Sequence, residues 1–268
     1  MSADSRPAHD DDLAPRTMLD FAVDAAWQAG KITLEYFQTG PVVERKADAS
    51  PVTLADRRAE EKLRGCIQRA FPEHGILGEE FGEVFGRTPY RWVLDPLDGT
   101  RSFIQGVPLY GVMLGLEYHG RVILGVVHFP ALGETVYAAK GEGCYWNGRR
   151  AHVSTVTHLE EAVVVATSVQ SLYDEGRGSV FDTLQGQTRL QRTWGDCYGH
   201  ILVATGRAEV MLDPILNIWD CAALLPILEE AGGTFTDWSG RATHTGGNGL
   251  STNGHLFRQV MEMIQRNP

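Results

Sequence analysis

The sequence predicts an α+β fold, or a layered α/β sandwich, rather than a simple doubly wound sheet. Three observations lead there. Two stretches with helical periodicity open the chain, short apolar runs crowd the segment from 91 to 139, and helices and strands mix in the second half. Elements arriving in blocks pack as segregated layers, whereas regular alternation builds a parallel sheet. The 268 residues suffice for one large domain or two modest lobes sharing a core.

Each element has its own warrant. Residues 1–16 are polar, with Pro7, Pro15 and the run Asp10-Asp11-Asp12, and read as a disordered arm outside the fold. From 17 to 39, Leu19, Val23, Ala26, Trp27, Ile32, Leu34 and Phe37 recur near helical spacing, and Gly40-Pro41 closes the segment. A second helix fits 53 to 71, with Leu54, Leu63, Ile67 and Ala70 on one side. Arg91-Trp92-Val93-Leu94 reads as a strand that ends at Asp95, because Pro96 blocks its continuation. The runs 112–116 and 122–127 flank His119-Gly120 as an antiparallel hairpin, and 135–139 with a turn at 141–143 adds a further strand.

Beyond a change of texture near residue 150, the segment 162–166 reads as a buried strand. A helix over 199–205, a strand over 208–212 and a helix over 218–231 follow, the last ended by Gly232-Gly233. A final helix covers 255–266. The chain divides into an N-terminal lobe, 17–150, and a C-terminal lobe, 151–268, rather than two independent domains.

Composition excludes several classes. The chain is 43% hydrophobic, which rules out a disordered or collagen-like protein. No run approaches the ~20 apolar residues that cross a bilayer, and the N-terminus lacks the apolar segment of a signal peptide; a soluble, cytoplasmic protein is expected. Lys and Arg number 24 against 34 Asp and Glu, a formal charge of −10 that argues against a nucleic-acid surface. Such an excess either keeps the protein soluble or includes carboxylates clustered to hold metal ions. The four cysteines, Cys66, Cys144, Cys197 and Cys221, form no C-x-x-C pair and are expected as reduced thiols. The nine histidines form no zinc-site pattern, which leaves hard oxygen ligands open.

Three segments carry acids at the edges of apolar elements, where a carboxylate is costly to bury alone. They are Gly78-Glu79-Glu80, Asp95-Pro96-Leu97-Asp98-Gly99-Thr100, and Trp219-Asp220. In the second, Gly99 permits an unusual turn, so that Asp95, Asp98 and the Leu97 carbonyl converge on one side. Mg²⁺ takes oxygen ligands in near-octahedral geometry, and the amides of Gly99 and Thr100 at a helix start suit a phosphate oxygen. Each piece also has a plain structural reading: an Asx turn for Asp95 to Asp98, a solvated loop for Glu79-Glu80, a helix cap for Asp220, an exposed helix residue for Asp56. Their conjunction separates the two readings.

G-E-E, then W-V-L-D-P-L-D-G-T, then W-D before a small-residue helix and A-G-G, resembles the inositol monophosphatase-like superfamily over residues 17–265. The resemblance implies an αβαβα layered sandwich and a Mg²⁺-dependent, lithium-sensitive phosphatase, with two or three Mg²⁺ per site and Mn²⁺ as an alternative. It implies that Glu79 binds the first metal and readies the attacking water, with Asp95 and the Leu97 carbonyl on that same metal. Asp95 then bridges to a second metal, joined by Asp98 and Asp220. Thr100 resembles the hydroxyl that orients the water with Glu79, and Asp56 matches the acid near a third, weaker metal. Glu80 matches no essential ligand. A homodimer is implied, with residues 110–130 and 150–180 as candidate contacts.

Two segments narrow the substrate. Arg101 followed by S-F-x-x-G-x-P, and Thr193-Trp194-Gly195-Asp196-Cys197-Tyr198-Gly199-His200, resemble the histidinol-phosphate phosphatase branch, which acts in histidine biosynthesis. Histidinol phosphate bears an amine and an imidazole, so its pocket should offer acids and an aromatic wall. Asp196 and Asp213 are the candidate acids, although Asp213 stands where inositol phosphatases usually carry the longer glutamate. Trp194 and Tyr198 are the candidate walls, with cation–π attraction of roughly 0.5–2 kcal/mol available; packing and helix capping are the competing roles for Trp194 and Asp196. Arg192 is open to either use, and His200 reads as a satisfied helix histidine rather than a substrate contact. The alternative substrate class is an inositol 1-phosphate or a range of sugar phosphates, and a metal-binding regulator without catalysis is the alternative of another kind.

Overall fold

The computed structural model describes residues 15–46 and 50–266. The predicted arm lies outside the described residues except for Pro15 and Arg16, which belong to the first helix. That helix, α1 (Pro15–Tyr36), starts earlier than its periodicity suggested, because Pro15 at the first helical position has the φ a helix needs and no N–H to satisfy. Strands β1 (Val43–Arg45) and β2 (Pro51–Thr53) form a small antiparallel hairpin that no apolar pattern marks. Helix α2 (Leu54–Ala70) follows directly. Thr53 caps it, its hydroxyl accepting from the Ala55 amide, while the Asp56 carboxylate accepts from the Thr53 amide in a capping box.

An eight-stranded sheet comes next: β3 (Gly75–Gly78), β4 (Gly82–Val84), β5 (Tyr90–Asp98), then helix α3 (Thr100–Ile104), β6 (Gly111–Tyr118), β7 (Arg121–Phe129), β8 (Glu134–Ala139), β9 (Gly143–Trp146) and β10 (Arg149–Arg150). Its order is β10-β9-β8-β7-β6-β5-β3-β4, with only the β3–β5 pair parallel. The predicted hairpin is β6–β7, turning at His119 and Gly120, both at positive φ. One expectation is corrected here. β5 does not end at Asp95; it continues to Asp98, and its pairing with β6 shifts register between those two acids. Pro96 sits in that irregularity, where a missing N–H costs no ladder bond.

The remaining elements are β11 (Val163–Ala166), α4 (Val169–Asp174), α5 (Gly178–Gln187), β12 (Leu190–Arg192), α6 (Asp196–Ala204), β13 (Val210–Asp213), α7 (Ile218–Ala222), α8 (Leu224–Glu230), β14 (Thr234–Thr236), β15 (Gly249–Thr252) and α9 (Phe257–Arg266). The five strands pair in the order β12-β11-β13-β15-β14. α6 begins three residues before its predicted start. The predicted helix over 218–231 is two helices, since the ring of Pro226 opposes the carbonyl of Ala222 four residues earlier.

Alternation along the strands sorts side chains into layers. Val112, Leu114, Leu116, Leu124 and Val126 face α1 and α2, against Leu19, Ala26, Leu63 and Ile67. Met113, Val127 and Phe129 face the other way, onto Ile201 of α6 and Ile227 of α8. Val163 and Val165 close that layer from the second sheet, while Val164 and Ala166 turn toward α4, α5 and α9. The order helix–sheet–helix–sheet–helix is the αβαβα sandwich. Burying each such Leu or Val contributes about 1.5–3 kcal/mol, so three apolar layers hold the frame. Most of β6 and β7 is buried in it, which leaves the tip at 119–121 as the exposed part of the first candidate dimer contact.

Two glycines set how closely the middle helices approach. Gly115 and Gly125 are cross-strand partners on β6 and β7. A Cβ on Gly115 would lie 2.8 Å from the Ala222 Cβ, and one on Gly125 would lie 2.1 Å from the Ala223 carbonyl oxygen. The end of α7 therefore rests directly on sheet backbone, and Asp220 is carried by that helix.

Candidate active site

A cleft of about 340 Å³ opens where the end of β5, the start of α3, β13 and the starts of α6 and α7 converge. Asp95, Asp98 and Asp220 face one another within it, with one carboxylate oxygen of each inside a 4.8 Å group. Chain segments far apart in sequence meet here because β5 delivers the first two acids and α7, seated on Gly115 and Gly125, delivers the third. Glu79, Leu97, Gly99, Thr100, Arg101, Asp196 and Asp213 line the same cleft.

Local chemistry fixes each acid. The register shift in β5 turns Asp95 back so that its Oδ1 accepts from the Leu97 amide at 3.0 Å. Gly99 has φ +83°, and a Cβ there would sit 2.9 Å from the Leu109 carbonyl oxygen, so the turn after Asp98 excludes a side chain. Asp98 Oδ2 accepts from the Cys197 amide at 2.5 Å. Asp220 Oδ2 accepts from the Asn217 amide at 2.6 Å as the acid of a capping box. The cap and the cluster are thus both roles of Asp220.

Electrostatics distinguish this group from a solvated acidic loop. Burial, then the charges of Glu79, Asp98 and Asp220, push the Asp95 carboxyl well above the usual range. Burial and then Asp220 raise Asp98 to about 7, and burial foremost raises Asp220 to about 6. None of these three forms an ion pair with a cation among the described residues. Buried, mutually repelling carboxylates with oxygen donors alone fit a hard divalent cation, which removes the repulsion that the fold otherwise sustains.

Glu79 differs. Lys46 Nζ lies 2.7 Å from Glu79 Oε1 and 2.5 Å from Glu80 Oε1. Burial disfavours the Lys46 charge, but these two hydrogen bonds outweigh it and raise its pKa. Burial likewise raises Glu79, with Lys46 opposing. Sequence reasoning missed Lys46, whose partners lie more than thirty positions away.

Asp56 is buried and lies outside both the cleft lining and the three-acid group. Its Oδ2 accepts from the Thr53 amide at 2.8 Å and the Thr53 hydroxyl at 2.6 Å. The Thr100 hydroxyl is 3.2 Å from Asp56 Oδ1 and 3.1 Å from the Leu97 carbonyl. One hydroxyl proton serves either acceptor, which leaves the Thr100 lone pairs to receive a hydrogen bond. The exposed-helix reading of Asp56 fails; it ties the start of α2 to Thr100 in the cleft lining.

Asp196 and Asp213 line the same cleft. Thr167 Oγ1 donates to Asp213 Oδ2 at 2.5 Å and accepts from the Asp196 amide at 2.8 Å. Asp196 has φ +53°, which costs an L-residue roughly 1–2 kcal/mol. Burial, then the Asp98 charge, raises Asp196 to about 7, and burial raises Asp213 well above the usual range.

The aromatic walls are not where the sequence placed them. Trp194 is 40% exposed and does not line this cleft. Tyr198 packs edge-on to Phe129 at 5.1 Å and lies under Arg207. Both lie near α6, but its acid rather than its aromatic residues turns inward. Arg192 is exposed, donating to the neighbouring Gln191 carbonyl at 2.7 Å. His200 is fully buried, bonds Ser251 Oγ at 2.7 Å and is pulled down to about 3 by burial, as a core histidine. Ser168, Ser171, Ile215, Asn217 and Trp219 line the cleft without a prior sequence signal, except that Trp219 adjoins Asp220.

An αβαβα sandwich with an oxygen-donor cluster at its central cleft is the frame of a metal-dependent phosphatase. The chain belongs to the inositol monophosphatase family, whose sequence profile matches residues 14–266. It is 48% identical over 248 residues to a histidinol-phosphatase of Chlorobaculum parvum, covering 92% of this chain and 96% of that one. A histidinol-phosphatase of Streptomyces coelicolor is 36% identical over 270 residues, covering 97% and 99%. Among solved structures, a Thermotoga maritima IMPase superposes with a TM-score of 0.85 at 32% identity, covering 93% and 97% of the two chains. No helix among the described residues is long and apolar enough to cross a membrane.

Proposed function

We propose that this protein hydrolyses histidinol phosphate to histidinol and phosphate, using two or three Mg²⁺ ions, with Mn²⁺ as the alternative metal. One observation carries the reading. Asp196 and Asp213 line the same cleft outside the three-acid group, and so offer further carboxyl groups to a substrate whose alcohol end is cationic. The 48% identity to a histidinol-phosphatase supports the same substrate. The lobes 17–150 and 151–268 meet at this cleft, and a homodimer would draw on the exposed tip at 119–121 and the exposed parts of 150–180.

Asp95, Asp98, Asp220, Glu79 and the Leu97 carbonyl would hold the ions. Bound there, divalent cations would neutralise the phosphate, acidify a water and stabilise the leaving alkoxide. Glu79 accepts the proton of the attacking water, and the Thr100 hydroxyl, its own proton given to Asp56 or Leu97, accepts a hydrogen bond that orients that water. The Gly99 and Thr100 amides and Arg101 receive the phosphate oxygens. Asp196 and Asp213 hold the amine end.

The test compares kcat/KM for histidinol phosphate, inositol 1-phosphate and adenosine 3′,5′-bisphosphate at fixed Mg²⁺. At least a tenfold preference for histidinol phosphate is expected; less than tenfold, under about 1.4 kcal/mol of discrimination, overturns the specific reading. A broad sugar-phosphate or inositol phosphatase is the second reading. It is favoured by the positions of Trp194 and Tyr198 outside the cleft, which leave Trp219 as the aromatic residue at its wall.

A further inference from the structure

We propose that Thr167 is a positioning residue for substrate choice: it clamps Asp213 to the start of α6, so that the two carboxyl residues Asp196 and Asp213 are set by one hydroxyl. The inference rests on the reading that Asp196 and Asp213 recognise the cationic end of the substrate. Two independent features support it.

The first is the direction of the hydrogen bonds. The hydroxyl of Thr167 has one proton, and it points to Asp213 Oδ2 at 2.5 Å. Its lone pair receives the Asp196 amide at 2.8 Å. Asp213 ends β13 and Thr167 follows β11, adjacent parallel strands of one sheet, so the donor rides on rigid backbone. The accepted amide belongs to a residue at φ +53°, a conformation with little intrinsic preference that this bond helps to hold. Held this way, Asp196 keeps its carboxylate beside Gly99, where a Cβ would lie 3.3 Å from Asp196 Oδ2.

The second is the close approach that the clamp requires. A Cβ on Gly195 would fall 2.2 Å from Thr167 Cα and 2.8 Å from its Oγ1. Backbone-to-backbone packing at that point brings the α6 start within reach of a side chain as short as threonine. Gly195 and Thr167 are therefore complementary parts of one junction, and a longer residue at 167 would separate Asp196 from Asp213.

Thr167 hydrogen-bonds none of Glu79, Asp95, Asp98 and Asp220. Its route to them is the Cys197 amide, next to Asp196, which holds Asp98, so a disturbance of bond cleavage would depress both substrates alike and a selective loss marks the clamp. Thr167→Val keeps the shape and removes both hydrogen bonds; Thr167→Ser keeps both. Steady-state kinetics on histidinol phosphate and inositol 1-phosphate, with amide exchange at Asp196, test the assignment. Thr167→Val should lower kcat/KM for histidinol phosphate at least tenfold, chiefly through KM, and change inositol 1-phosphate less than threefold. Thr167→Ser should restore both within threefold, and Asp196 amide exchange should quicken in the valine variant alone. Equal losses on the two substrates, or unchanged kinetics and exchange in Thr167→Val, overturn the clamp. A wild type without preference for histidinol phosphate overturns the substrate reading instead. In that case faster Asp196 exchange in the valine variant still supports the clamp, and unchanged exchange removes it.

Discussion

The Asp98 carboxylate accepts a hydrogen bond from the Cys197 amide at 2.5 Å, across 99 positions of sequence. One oxygen of a candidate metal ligand is thereby fastened to the first turn of a helix from the other half of the chain. The bond orients the acid before any cation arrives.

That geometry makes amide substitutions informative. In Asp98→Asn and Asp220→Asn the side-chain oxygen still accepts from Cys197 or Asn217, so the fold persists while a ligand charge is lost. Each variant should lose at least a hundredfold in kcat at saturating Mg²⁺ with an unchanged circular dichroism spectrum. Near-normal kcat in either variant removes that residue from the ligand set.

Asp56 joins a capping box to Thr100. Asp56→Ala should therefore reduce both stability and turnover. Loss of the cap costs about 1 kcal/mol, a fall of roughly 2–4 °C in Tm for a chain of this size. Thr100→Val should reduce turnover with little change in Tm. Thermal melts and phosphate-release rates on the two variants separate the roles; equal Tm losses would show that the Thr100 contact is structural only.

Cys197 and Cys221 stand beside the cluster, yet burial raises both thiols well above their ordinary range. Neither supplies a thiolate near neutral pH. Native enzyme treated with iodoacetamide should keep its activity, and Cys221→Ser should retain kcat within about threefold. Rapid inactivation with one thiol modified would contradict the assignment of Glu79 and water to the attack.

Burial holds His200 down to about 3 and His128 down to about 4. Both are neutral in the fold, while the unfolded chain takes up protons below about 6.5. Their own contribution to stability is full above that pH and is lost as pH falls toward 4 and then 3, about 2 kcal/mol each by pH 5. The raised carboxyls of Asp98, Asp196 and Asp220 act with the opposite sign over the same range, so the histidine part is read as the difference between the native protein and His200→Gln. Urea titrations from pH 7.5 to 5 should show His200→Gln gaining about 2 kcal/mol relative to the native protein. A difference that stays constant with pH would place the proton uptake elsewhere.

Much of the frame was legible because it rests on periodicity. The apolar spacing of 17–39 and 53–71 marks α1 and α2, and the runs around His119-Gly120 mark β6 and β7. Residues 167–192 carried no predicted element, since α4 and β12 are short and α5 begins at a glycine and contains another. Of the six candidate metal positions, Glu79, Asp95, Leu97, Asp98 and Asp220 were readable from G-E-E, D-P-L-D-G-T and W-D together and line one cleft, while Asp56 lies outside its lining. The substrate pocket was half legible. Asp196 and Asp213 line the cleft, but an aromatic side chain beside an acid in sequence points elsewhere once a helix turns, and so Trp194 and Tyr198 fall outside. Thr167 and Lys46 had no local signal, because their partners come from distant segments.

The bare backbone at Gly115 and Gly125 reaches further than packing. No reacting atom touches either residue, and a survey ranking positions by distance from the substrate would pass over them. Yet a single methyl at 125 would strike the Ala223 carbonyl, lift the turn between α7 and α8, and carry Asp220 away from its two companions. A change as mild as glycine to alanine would then act on the catalytic centre from a distance, at some cost to stability as well, which makes this seat a place where harmful variation hides from inspection of the catalytic centre.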